Sequence, residues 1–168
     1  MSDDPEAFWY DIENDVAAAL DEAGLAAFEK LSRARFEAAS EEPAGYEHRR
    51  WSDIVRAIYC AQRDIQAYIA LTEQTGLKPE DCLAVAKLFA PRKPEEALAW
   101  VERGRTLDRE KPFRSGAVYD LDKPHRELLT RLGRQNDALE AAQSDLRKHR
   151  PKCTYAAFTQ LLPKAEAP

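Results

Sequence analysis

Long apolar runs, cysteine, glycine and valine are all in short supply in this chain of 168 residues, and each shortage removes a class of protein. No stretch approaches the roughly 20 consecutive apolar residues that a helix needs to cross a bilayer, so no membrane partner is expected. Cysteine occurs three times, at Cys60, Cys82 and Cys153. An odd number at wide spacing argues against a disulfide framework and for a reducing compartment. The opening Met1-Ser2-Asp3-Asp4 is acidic and lacks the basic and apolar regions of a signal peptide, so a cytoplasmic location is expected. The six glycines fall where turns or element ends are expected, and valine is sparse beside abundant alanine and leucine. That balance favours helix over sheet.

Signatures of catalysis are also missing. There is no glycine-flanked serine of the nucleophile-elbow type, and neither Gly104-Arg105 nor Gly133-Arg134 belongs to a glycine-rich phosphate loop. His149 and Cys153 lie four residues apart, a spacing at which two ligands could share a helix face and hold zinc. Pro151 between them breaks that helix. The other candidates, His48, Cys60, Cys82 and His125, show no paired spacing, and structural cysteines are the better reading. Acidic pairs such as Glu95-Glu96 sit at helix starts, where the macrodipole accounts for them. The chain is therefore read as no enzyme, with no catalytic, cofactor-binding or metal-binding residue assigned; an unrecognised hydrolase or metal enzyme is kept as a minority alternative.

What the chain does contain is enough apolar surface to fold: 44% of its residues are hydrophobic and 33% charged, unlike disordered chains, which bury too little to offset ordering entropy. Charge is uneven. Residues 1–45 carry 12 acidic and 3 basic side chains, a net of −9, and residues 46–168 carry 18 and 22, a net of +4. The second part lacks the dense Lys/Arg field that displaces counterions from nucleic acid, so no nucleic-acid partner is expected. It is basic enough to attract an acidic helix, its own included.

Apolar residues recur at helical spacing nearly throughout. Asp3-Asp4-Pro5-Glu6 opens a first helix with Phe8, Ile12, Val16, Ala19 and Leu20 on one stripe, which Gly24 ends or bends. The breadth of its apolar arc, with Trp9 and Tyr10 beside Phe8, hints at packing on two sides. A second helix, 25–39, points Leu25, Phe28, Leu31 and Ala38 inward, with polar Arg35 within that arc. After the loop Glu41-Glu42-Pro43-Ala44-Gly45, helices are expected over 46–61 (Trp51, Ile54, Val55 and Ile58 inward) and 63–75 (Ile65, Tyr68, Ile69 and Thr72), with Gly76 as stop. Pro79 starts a helix with Leu83, Ala86, Phe89 and Ala90 on one face. Pro91 closes it, and Pro94 starts the partner through Leu107. Residues 110–122 read as an extended connection. Helices follow over 123–133 (Leu128, Leu129 and Leu132), 136–149 (Ala138, Leu139, Ala142 and Leu146) and 153–162 (Tyr155, Phe158, Leu161 and Leu162).

One pattern is written twice. Pro94-Glu95-Glu96-Ala97-Leu98-Ala99-Trp100 returns as Arg134-Gln135-Asn136-Asp137-Ala138-Leu139-Glu140, with Ala97 and Ala138 separated by 41 residues, a spacing at which helix pairs stack. Segments 79–112 and 123–151 resemble tetratricopeptide-like repeats, in which the second helix carries an Ala-Leu pair and a proline marks the end. Gly104, seven residues after Ala97, matches the family's small residue. Asp145, seven after Ala138, departs from it, and the usual Trp and Tyr pattern of the first helices is missing. The whole chain is also similar to the C-terminal region of a bacterial family of helical-repeat proteins without an assigned activity.

The resemblance implies an all-α fold: a short right-handed α-solenoid of antiparallel helix pairs, about eight or nine helices in one domain, 1–168. Its parts would be an acidic N-terminal hairpin (1–45), helix pairs at 46–78, 79–116 and 117–152, and a capping helix and tail (153–168). It implies an interaction scaffold. Arg49, Arg56 and Arg63, spaced by seven, would line one ridge with Tyr59 nearby and receive carboxylates from a protein or peptide with acidic groups. Against this, Asp53 stands four residues after Arg49 and three before Arg56, where pairs within the helix use up the charge. Basic groups at Arg103, Arg105 and Arg109, and at Arg147, Lys148, Arg150 and Lys152, suit the negative ends of helices. The alternative is a self-associating module, a homo-oligomer included, in which the acidic N-terminal hairpin docks on the basic repeats.

Overall fold

A computed structural model describes residues 12–41, 45–110 and 117–149. Among them every regular element is helical: α1 (Ile12–Ala19), α2 (Glu22–Ala38) with a 3-10 turn at Ala39–Glu41, α3 (Tyr46–Gln62), α4 (Ile65–Thr75), α5 (Pro79–Phe89), α6 (Pro94–Glu110), α7 (Ala117–Arg131) and α8 (Gln135–His149). The expected opening of the first helix at Asp3, the contents of the 42–44 loop, the final helix at 153–162 and Cys153 lie outside the described residues. The chain divides into two compact units, Met1–Gly76 and Leu77–Pro168.

In the first unit α3 packs against α1, α2 and α4. Ile54, Val55, Ala57, Ile58 and Tyr59 are all buried, and such consecutive burial belongs to a helix covered on most sides rather than to one with a single wet face. Its end is local chemistry. Arg63 takes the left-handed conformation at φ 58, its N–H reaches the Cys60 carbonyl at 3.2 Å and the Asp64 N–H reaches the Tyr59 carbonyl at 3.0 Å, the two bonds of a Schellman motif. Asp64 then caps α4, accepting from the Ala67 N–H at 3.0 Å.

Three expectations in this unit need correction, the first being that Val16 faces inward on α1: it is exposed, and its neighbour Ala17 is buried instead. Gly24 does not end the first helix: the break comes at Leu20–Asp21, because the Asp21 carboxylate caps α2 by accepting from the Gly24 N–H at 2.8 Å. Nor does α2 turn Leu31 inward. Leu31 is 54% exposed, whereas Ser32 and Phe36 are buried. The helix is rotated so that Phe36 stacks on His48, with ring centroids 4.7 Å apart, and Glu29 accepts from Gln62 at 2.9 Å.

In the second unit Ala86, Ala97, Leu98, Val101, Leu121, Leu128, Leu129 and Ala138 form one core. Full burial of a leucine is worth about 1.5–3 kcal/mol, so α7, which supplies three, is its main donor. Pro79 begins α5 at its first position, where its missing N–H costs nothing, and Asp81 accepts from the Lys78 N–H at 2.9 Å. Gly104 sits within α6 rather than at an end: a Cβ there would come within 2.8 Å of the Cys82 Cβ and 3.0 Å of Leu121 Cδ1. The 110–122 connection is shorter than expected, since α6 runs to Glu110 and α7 starts at Ala117, with Pro124 inside it. Pro124 leaves the carbonyl of residue 120 without its helical donor, but Leu121 and Asp122, both buried on that turn, hold it against α6.

Candidate functional site

Arg49, Arg56 and Arg63 do not form one exposed ridge. Arg49 and Arg63 are exposed, Arg63 lying beyond the last turn of α3. Arg56 is 7% exposed. Its guanidinium donates to Ser52 Oγ (2.8 Å), Asp53 Oδ1 (3.1 Å) and Thr75 Oγ1 (2.6 Å), tying α3 to the last turn of α4. The i,i+3 pairing with Asp53 is thus present, and the bond to Thr75 is what draws the side chain inward. A spacing of seven places side chains over one another but does not say which neighbouring helix covers them.

Tyr59 is also buried, yet it borders a cleft in the first unit. Phe36 from α2, Val55 and Tyr59 from α3, and Ala67, Ala70 and Leu71 from α4 enclose a cleft of about 70 Å³, with Arg33 and Gln74 completing its wall. Arg33 Nη1 donates to the Tyr59 hydroxyl at 2.7 Å. Burial pushes the Tyr59 phenol above its ordinary pKa, and the Arg33 charge only partly opposes that. The Arg33 side chain is about half exposed and meets Glu37 at a distant 3.9 Å, so its outer face is open to water. The volume is far below the roughly 300–1,000 Å³ of small-molecule sites; it suits a single apolar side chain. Arg33 was missed in the sequence because no periodicity marks a polar residue as the rim of a gap between two other helices.

The second unit holds a cluster of charges inside its helices. Arg105 on α6 is shared three ways: Nε meets Asp122 Oδ1 at 3.1 Å, Nη1 meets His125 Nδ1 at 2.6 Å and Nη2 lies 3.7 Å from Asp145 Oδ1. Arg126 Nη1 donates a short bond to Asp145 Oδ2. Asp122, His125 and Asp145 are each less than 9% exposed. A guanidinium can only donate, so Nδ1 must accept and the ring proton is assigned to Nε2, which faces Glu102 Oε1 at 3.8 Å. Burial, and after it the charges of Arg105, Arg126, Arg134 and Arg109, lower the His125 pKa from 6.5 to about 4. Burial raises that of Asp145, with Asp122 adding to the effect and Arg126 and Arg105 opposing it.

Arg105 is therefore not simply a cation at a helix end, as its position suggested; it is the hub of a buried network. The sequence holds one trace of this. Ala138, Ala142 and Asp145 share a face at i, i+4 and i+7, so Asp145 stands where an apolar residue belongs. Its partners, 19 to 40 residues away, carry no pattern that joins them.

Of the cysteines, Cys60 is half-buried and Cys82 buried, and burial pushes the Cys82 thiol up to about 11, where it is a poor nucleophile. Among the described residues, no group of three or more His, Cys, Asp or Glu side chains is placed to hold a metal ion, and no helix is long and apolar enough to cross a membrane. Compared with known protein families, with curated proteins and with solved structures, the chain matches none of them.

Proposed function

We propose that this chain is a non-catalytic helical scaffold, built from divergent tetratricopeptide-like helix pairs, that binds a protein or peptide segment bearing acidic groups. The observation that carries the reading is the cleft over α3, where an apolar floor of Phe36, Val55 and Leu71 adjoins the half-exposed guanidinium of Arg33. An apolar side chain of the partner would fill the cleft and an adjacent carboxylate would bond to Arg33, an anchor with a charge-assisted contact beside it. In this reading Tyr59 lines the cleft and Arg33 takes the carboxylate-receiving role first given to Arg49, Arg56 and Arg63.

Support for related helix pairs comes from the two copies of the hairpin. Lys93 pairs with Glu96 and Arg134 with Asp137, each at i,i+3 and each at 2.7 Å. The Ala97 N–H bonds to the Lys93 carbonyl and the Ala138 N–H to the Arg134 carbonyl, both at 3.0 Å. The same local geometry at an offset of 41 residues is what a solenoid repeat would produce.

Selection of a random peptide library on the full chain tests the reading. Recovered peptides should pair an apolar with an acidic residue, and should bind at least about tenfold more weakly after Arg33→Glu or after Ala70→Trp, which fills the cleft from its exposed edge. Peptides that bind both variants as well as the parent, or a library that yields none, would refute it.

A further inference from the structure

Four features make α8 the least firmly held helix of the second unit. Its fully buried apolar side chains are Ala138 and Ala142, which bury little surface each, whereas Leu139 and Leu146 are only half-buried. Among the described residues, its one charged side chain in the buried cluster is Asp145. Asp145 takes a hydrogen bond from Arg126 of α7, and Arg105 of α6 adds a longer ion-pair contact to its other oxygen at 3.7 Å. Arg105, finally, is positioned by accepting groups on α7, Asp122 Oδ1 and His125 Nδ1.

We propose that the cluster of Arg105, Asp122, His125, Arg126 and Asp145 is a proton-sensitive latch, in which protonation of His125 releases α8 while the α5–α6 hairpin stays packed. A proton on Nδ1 would face the Arg105 Nη1–H across 2.6 Å, donor against donor and cation against cation. Arg105 must then swing away. Its three nitrogens are fixed in one plane, so the swing also withdraws Nη2 from Asp145.

The groups facing His125 do not absorb the added charge. From α6 they are Arg105, Arg109 and Glu102, from α7 itself Asp122 and Arg126, from the turn before α8 Arg134, and from α8 Asp145. The cations outnumber the carboxylates, and Asp122 and Asp145 are already engaged by Arg105 and Arg126. Glu102 is more than half exposed, so water screens it. The remaining described helix of the unit, α5, enters through the apolar core at Ala86.

Hydrogen exchange on the full chain, with rates corrected for the intrinsic effect of pH, reads the latch. With the His125 pKa at about 4 in the closed state and rising toward its ordinary 6.5 as α8 uncovers it, the opening equilibrium of residues 135–149 should rise between pH 7 and pH 5 by a factor of up to about 20, the limit reached if the full shift is relieved, with α5 and α6 unchanged. His125→Asn, which keeps an acceptor for Arg105 but cannot take up the proton, should abolish that rise. Constant protection of α8, equal loss in α5 and α6, or an unaltered pH response in His125→Asn would each overturn the proposal. Should that variant not fold, the imidazole of the unaltered protein decides: titration at pH 6 or above refutes the latch, and titration near 4 supports it.

Discussion

Arg63 shows how one residue can be read for structure and for function at once. It is the one non-glycine residue with positive φ among those described, and a side chain in that region costs about 1 kcal/mol or more relative to glycine. Arg63→Gly should therefore stabilise the first unit by about 0.5–1 kcal/mol, the gain being trimmed by the greater freedom of glycine in the unfolded chain. Urea unfolding followed by Trp51 fluorescence, with Trp9 and Trp100 replaced by Phe, measures it. A lower midpoint would mean that the Arg63 side chain makes stabilising contacts of its own. Loss of peptide binding alongside higher stability would instead place the exposed Arg63 in the binding surface next to Arg33 and Tyr59.

At the scale of elements, the contrast between Gly104 and Asp145 separates what the sequence discloses from what it hides. The breaks at Gly76, Pro91 and Gly133 and the start at Pro79 are legible because each depends on the backbone chemistry of one or two residues. Part of the inward face of α3 (Ile54, Val55, Ile58) and of α8 (Ala138, Ala142) is legible because apolar residues recur there at helical spacing. The face of α2 is not, since Phe36 and Glu29 find partners on α3 that no local pattern announces. The α6–α7 connection misleads for a similar reason: Pro124 reads as a helix start, and only the packing of Leu121 against Gly104 extends α7 ahead of it. As for the candidate site, Tyr59 and Arg56 both turn out buried where an exposed ridge was expected, and the positions of Arg33 and the Arg105 cluster follow from how neighbouring helices pack, which no pattern within one helix announces.

Gly104 stands seven residues after Ala97 and Asp145 seven after Ala138, and each is dictated by what faces it. At Gly104 the facing atoms are Cys82 Cβ and Leu121 Cδ1, close enough that any side chain must displace them. Gly104→Ala gains about 1 kcal/mol of helix propensity but meets an overpacking cost of about 1–3 kcal/mol, for a net loss of about 1 kcal/mol. The urea midpoint of the second unit, read through the half-buried Trp100, checks the sign. A stabilised variant would show that α5 and α7 can draw back from α6 freely, and the close approach would then not be what selects glycine.

For the whole molecule, the buried cluster sets how stability responds to acid. The His125 pKa is depressed in the fold, so its contribution is complete above the ordinary value of 6.5 and is lost as the pH falls toward about 4, up to about 3 kcal/mol over that window. Asp145 has the opposite sign. Its pKa is raised in the fold, so the folded chain takes up its proton first and acidification toward the ordinary carboxylate range adds stability. The histidine term opens at pH 6.5, and the Asp145 term opposes it as the pH falls through that carboxyl's raised value in the fold. Unfolding free energy of the second unit, from urea titrations read at Trp100, should fall between pH 7 and pH 5 by up to about 2 kcal/mol, the histidine contribution before Asp145 offsets it. His125→Asn should flatten that slope while leaving the Asp145 effect, so the variant should hold or gain stability on acidification. An unchanged slope in the variant would move the acid response away from His125 and onto the carboxylates that pair with Arg105 and Arg126.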